Sequence, residues 1–280
     1  MIPCLNGATA GGGLPFPEFV QLAARTGFGA VEFSVESLVQ LVQERSLAGT
    51  KDFLASSGVQ LGAWGLPVEW RQDEATFRAG LERLPDLARM AAECGCLRTC
   101  TWIAPSSDVP YDQRWAFVVG RLRPIVDILR AEDVHFGIEF VGPKTARTGP
   151  HDFMYTMAEA LKMAEELGGD HCGLLLDSFH WFCSEATAAE IAALPAEKIV
   201  HVHINDAPDR PVAEQMDFER LLPGEGIIDL TAFLAALKSI GYHGPVSVET
   251  FSKDLSKLPA DEAARKASAA VRSVLSKVAG

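Results

Sequence analysis

The chain has 280 residues, of which 48% are apolar and 22% charged, and its formal charge is −12. This ordinary globular composition excludes a disordered or fibrous protein, and the length suits one α/β barrel of about 250 residues. The acidic balance disfavours a nucleic-acid partner, because phosphate backbones are met by basic faces. No apolar run approaches the roughly 18 residues of a bilayer span, so no membrane partner is expected. The opening MIPCLNGATAGGG has no basic start before an apolar stretch, which leaves the cytoplasm as the expected compartment.

In chain order, apolar β-branched runs alternate with helical patterns, the signature of βαβ units and a parallel sheet. IPCLNG at 2–7 predicts a first strand, and FPEFVQLAARTGF at 16–28 an amphipathic helix with apolar positions at helical spacing. AVEFSV at 30–35 and VQLGAWGL at 59–66 predict strands, followed by a helical pattern at 77–95. ECGCLRTC then places Cys94, Cys96 and Cys100 close together without a neighbouring histidine. They are expected to be small buried thiols at a helix-to-strand junction rather than a zinc site. Strands follow at 97–104 and 134–141, a helical pattern FMYTMAEALKMAEELGG at 153–169, strands at 172–179 and 199–206, a helix at 230–242, and a last strand PVSVETF at 245–251. Most of these strands are nearly continuous in apolar residues, as strands covered on both faces should be. Several helices close on glycine, a normal C-cap. The expectation is one (β/α)₈ barrel over residues 1–280, since no GxGxxG follows the first strand to suggest an open doubly wound sheet.

Barrel chemistry sits at the C-terminal ends of the strands. Glu139 follows VHFGI, Asp177 follows CGLLL, His203 follows IVHV and Glu249 follows GPVSV. Three carboxylates converging near one axis would each bear a desolvation cost of several kcal/mol without a cation or protons. The quartet Glu139, Asp177, His203 and Glu249 is therefore a candidate site for one divalent metal ion. Its oxygen-rich donors suit Mn²⁺ first, with Mg²⁺, Co²⁺ or Zn²⁺ as other candidates. Taken singly, each of these residues reads first as a polar group satisfied at a loop entrance, and it is the repetition on successive strands that points to a metal.

His180, three residues after Asp177, is expected where the strand gives way to a loop and is a candidate substrate contact. His201 shares a strand face with His203 one layer deeper and is read as a hydrogen-bonded structural histidine. Lys144 and Arg147 in GPKTART are candidate anion or hydroxyl contacts, with solvated surface charge as the alternative. The segment 206–226 is too long for an ordinary βα loop and is expected to cover the site. Within it Arg220 is a candidate substrate contact or a loop-bracing ion pair, and Glu225 a turn residue. Glu32, Trp64 and Trp102 could face a sugar-sized pocket but are more often core or rim packing.

GIEF around Glu139, LLLDSFH at 174–180, HVHIND at 201–206, PGEGIIDL at 223–230 and SVETF around Glu249 resemble the xylose-isomerase-like barrels, over nearly the whole chain. That family includes tagatose and psicose epimerases and inosose dehydratase. The resemblance implies metal binding by Glu139, Asp177, His203 and Glu249, proton exchange by Glu139 and Glu249, and hydroxyl contact by His180. It implies a metal-dependent epimerase or isomerase working on a small keto sugar or polyol through an enediolate. A lyase or dehydratase on an inosose or 3-keto sugar is the alternative, and a sugar-binding protein without turnover a more distant one. Related epimerases carry a substrate-orienting glutamate in the loop after the Glu139 strand, whereas no acid lies between Val141 and Pro150. A relative by fold, endonuclease IV, uses extra histidines on early strands, and none precedes His135 here. Homo-oligomers are common among relatives.

Overall fold

The computed structural model describes residues 1–278, so the last two residues of the expected 1–280 domain lie outside it. Eight parallel strands close a barrel: β1 (Ile2–Leu5), β2 (Ala30–Phe33), β3 (Gln60–Gly65), β4 (Arg98–Ile103), β5 (His135–Phe140), β6 (Cys172–Asp177), β7 (Ile199–Ile204) and β8 (Pro245–Val248). Closure runs through β8 against β1, with Ile2 opposite Pro245 and Leu5 opposite Val248. Each expected strand is present and ends one to three residues earlier at its C-terminus than its apolar run, because the chain leaves the ladder to build the mouth.

The outer ring consists of α1 (Phe16–Thr26), α2 (Val35–Ser57), α3 (Glu74–Glu93), α4 (Tyr111–Ala131), α5 (Met157–Gly168), α8 (Leu230–Ser239) and α9 (Ala260–Ser276). Two short helices, α6 (Ser178–Cys183) and α7 (Ala188–Ala192), lie between β6 and β7. No described helix is long and apolar enough to cross a membrane. Gly27, at φ 91°, closes α1 in the left-handed conformation that a side chain would resist. The helix expected from residue 153 begins only at Met157. Thr156 caps it by accepting from the Glu159 N–H, and Glu159 accepts in return from the Tyr155 N–H and the Thr156 hydroxyl.

Every residue of β6, β7 and β8 is buried, as strands covered on both faces require. One continuous apolar core fills the layer between sheet and helices, and Ala63, Cys100, Leu175 and Val200 form a small separate cluster. Gly137 packs into that cluster so tightly that a Cβ there would lie 2.7 Å from Cys100 Sγ. Of the three clustered cysteines, Cys96 and Cys100 are buried, and burial pushes the Cys96 thiol up to about 11.

The connections at the C-terminal end of the barrel are held by their own polar contacts. Ser106–Ser107 and His151–Asp152 pair antiparallel and join the loops after β4 and β5. The long segment after β7 folds back on itself through paired backbone hydrogen bonds between Asp206 and Leu221, at 2.9 and 2.8 Å. The buried Asp206 carboxylate also accepts from the N–H groups of Ala207, Gly224 and Ile228, each at 2.9 Å. Removing it leaves buried donors unpaired, each costing about 1–3 kcal/mol. Asp206→Ala is therefore expected to lower the free energy of unfolding, read from urea titration, by an amount in that range or above, and an unchanged value would show that this segment does not depend on its carboxylate.

Candidate metal centre

The barrel brings four residues from four adjacent strands to one point: ligand atoms of Glu139, Asp177, His203 and Glu249 all lie within 4.8 Å of one another. Glu139 and His203 are the penultimate residues of β5 and β7, Asp177 is the last of β6, and Glu249 follows β8 directly. His203 Nδ1 is the hub, 3.3 Å from Glu249 Oε2, 3.4 Å from Glu139 Oε1 and 3.9 Å from Asp177 Oδ2. Glu139 Oε1 and His203 Nδ1 are both buried without a hydrogen-bond partner. Buried polar atoms are rarely left so, and a cation between them would satisfy both. The donor set of carboxylates and one imidazole fits a divalent ion.

Asp177 is doubly committed. Its Oδ1 caps α6 by accepting from the N–H groups of Phe179 (2.7 Å) and His180 (3.0 Å), and its Oδ2 accepts from Asn205 Nδ2 and Arg220 Nη1. This cap corrects one expectation: β6 passes into a helix, not a loop, because the Asp177 side chain satisfies its first free N–H groups. His180 is thereby fixed in the first turn of α6, buried, with Nε2 3.1 Å from Arg220 Nη2.

Arg220 is almost fully buried. Its guanidinium donates to Asp177 Oδ2 (3.0 Å), Glu249 Oε2 (2.7 Å) and Asp217 Oδ1 (2.7 Å). Burial opposes its charge, yet the surrounding carboxylates push its pKa upward. The loop-bracing reading of Arg220 is met by its bond to Asp217, and the residue also lines the mouth. Glu225 sits in a turn, with its carboxylate accepting from the Leu222 N–H.

A cavity of about 900 Å³ opens over this centre, lined by Glu139, His180, Arg220 and Glu249 at its floor and by Trp102, Phe218 and Phe251 on its walls. Lys144 and Arg147 do not join it. Lys144 is exposed on a short 3₁₀ turn. Arg147 stacks over the Tyr155 ring at 3.5 Å and donates to the Gly142 carbonyl. Their loop contributes Thr145, Ala146, Thr148 and Gly149 to the wall instead. Trp64 belongs to the core, whereas Trp102 is half exposed at the rim.

Sequence reasoning missed Asp217, Phe218 and Phe251 as lining residues. Phe251 could have been found from the two-residue period beyond Glu249, while Asp217 and Phe218 lie in a segment without periodicity. Glu32 was read only as a residue that could face the mouth; its Oε1 lies 2.9 Å from both His201 Nε2 and His203 Nε2. His201 is buried and hydrogen-bonded, and burial lowers its pKa.

Charges within the centre are set by these contacts. Burial pushes the Glu139 carboxyl up, against the pull of His203. Burial would raise Glu249 too, but His203 and Arg220 hold it down at about 2. For His203, burial acts downward, yet Glu249 and Glu32 carry its pKa well above 6.5. The metal-free imidazole thus keeps a proton below that raised value, and an ion can take Nδ1 only by displacing it. Apparent Mn²⁺ affinity should accordingly rise with pH up to the raised pKa of His203, by up to about tenfold per unit for each proton released. Affinity independent of pH in a Mn²⁺ titration would contradict this protonation state.

Comparison with known proteins places the fold and the centre in context. The chain is 27% identical to an inosose isomerase of Bacillus velezensis over 280 residues, covering 98% of this chain and 97% of that protein. A xylose isomerase domain protein from Alicyclobacillus acidocaldarius superposes with a TM-score of 0.91 at 29% identity, covering all of both chains. The IOLI protein, crystallised with a zinc atom, superposes with a TM-score of 0.82 at 26% identity over 99% of each chain. The family model described as xylose isomerase-like TIM barrel matches residues 20–274. With that match spanning nearly the whole barrel, the chain belongs to the xylose isomerase-like TIM barrel family.

Proposed function

We propose that this protein is a divalent-metal-dependent isomerase or epimerase of an uncharged keto sugar or keto polyol, moving a proton through an enediolate. The observation that carries this reading is that Glu139 and Glu249 reach one buried imidazole from two strands with opposite proton affinities. Two titratable groups pushed apart by their surroundings are the usual mark of an acid and base pair. Glu139, Asp177, His203 and Glu249 would hold the ion, which when bound would polarise a carbonyl and acidify the neighbouring C–H. Glu249, kept ionised by His203 and Arg220, is the base that takes the proton. Glu139, whose proton affinity burial raises relative to Glu249, is the residue that returns one. His180 and Arg220 line the cavity beside the centre, the Arg220 donors being shared among Asp177, Glu249, Asp217 and His180, and Trp102, Phe218 and Phe251 offer apolar surface to the carbon face of the substrate.

Charge narrows the substrate. Asp108, Glu139, Asp217 and Glu249 line the cavity beside a single cation, Arg220, whose guanidinium is already shared among Asp177, Asp217 and Glu249. A phosphate or carboxylate would enter against that field without a free partner. Similarity along the length of an inosose isomerase supports a neutral keto polyol.

Turnover in D₂O should place solvent deuterium on the carbon beside the carbonyl, and Glu139→Gln or Glu249→Gln should slow it by roughly two to four orders of magnitude. Product free of deuterium, read by mass spectrometry, would indicate hydride transfer and sink the two-glutamate reading. Net release of water would move the assignment to a lyase. In a panel of keto sugars and inososes, phosphorylated members should show kcat/KM well below their neutral parents, and the reverse order would overturn the charge argument.

A further inference from the structure

Resting on that metal reading, we propose that Glu32 is a positioning residue which fixes His203 as a metal ligand from behind. Its Oε1 accepts from His203 Nε2 at 2.9 Å, which keeps a ring hydrogen on Nε2 and leaves Nδ1, directed at Glu139, Asp177 and Glu249, as the nitrogen that gives up its proton to a metal ion. A metal-binding histidine is commonly oriented by such a carboxylate on its far nitrogen. The same oxygen accepts from His201 Nε2, also at 2.9 Å, and the two imidazoles meet edge to face at 82°. His201 thus anchors the carboxylate, and Glu32 cannot swing away from His203 without stranding a second buried donor.

Glu32 is only part-buried, and its outer side lines a separate cavity of about 290 Å³ formed with Asn6, Gly7, Gly12 and Ser34. This cavity neither belongs to the substrate pocket nor shares its lining residues. It offers a small carboxylate a way to the position that a shortened side chain would vacate.

The test is Mn²⁺ affinity, followed by the resonance signal of the free ion without substrate. Mn²⁺ is chosen because its preference for oxygen keeps it off the surface pair His135 and His171 beside Asp133, which would compete for zinc. Glu32→Ala should weaken binding about 10–100-fold with the barrel folded. Glu32→Gln, which keeps an acceptor oxygen, should recover most of that loss, and formate should restore part of it in Glu32→Ala. Where the alanine variant does not fold, Glu32→Leu fills the volume without an acceptor and gives the same comparison with glutamine. Unchanged affinity in the alanine or leucine variant overturns the proposal alone. So does a glutamine variant as weak as alanine together with no response to formate, since the loss would then come from packing. Wild-type protein that binds no Mn²⁺ overturns the metal reading itself and this proposal with it.

Discussion

Negative charge concentrated in a buried mouth is the constraint on which the rest of this structure depends. Glu139, Asp177 and Glu249 lie against one imidazole, with Glu32 behind it and Asp217 above. Such a group of carboxylates is tolerated only where cations and directed N–H groups answer each oxygen. The protein supplies one guanidinium, a protonated imidazole, a helix N-terminus and the Asn205 amide. What these leave unanswered, at Glu139 Oε1 and His203 Nδ1, is where the divalent ion fits.

The surrounding architecture follows from holding those groups in place. Arg220 must reach the barrel axis from a loop, and a loop residue is costly to fix unless its segment is braced. The Asp206 carboxylate, the Asp206–Leu221 pairing and the buried Gln215 amide supply that brace. Asp177 serves the same end differently, since one oxygen starts a helix that carries His180 while the other faces Arg220. A single side chain thereby couples strand, helix and loop, and preorganisation of this kind is what a site for developing charge requires.

On the proposed reading, the same field would also select the substrate. A mouth with acidic side chains and aromatic walls would favour a neutral polyol, with hydroxyls that accept and donate and a carbon face set against Trp102, Phe218 and Phe251. On that reading, Glu139 and Glu249 would act from two sides of the substrate carbonyl carbon, the arrangement proton transfer between neighbouring carbons needs.

The sequence by itself determined the barrel and the quartet of polar residues gathered at its mouth. Strand alternation and helix periodicity are local signals, and a residue that ends an apolar run must lie at the mouth whatever the rest of the chain does, so Glu139, Asp177, His203 and Glu249 were readable one at a time. Tertiary structure alone decided which basic residues reach the site. Lys144, Arg147 and Arg220 look alike as loop cations, but Arg147 is drawn off by Tyr155 and Arg220 is carried inward by a loop whose path no periodicity encodes. The start of α5 and the helix after Asp177 were likewise set by side-chain caps, which a pattern of apolar residues does not show. The partners of Glu32 were beyond sequence for a further reason: they are 169 and 171 residues away, and only closure of the cylinder brings the second strand's carboxylate against the seventh strand's imidazoles.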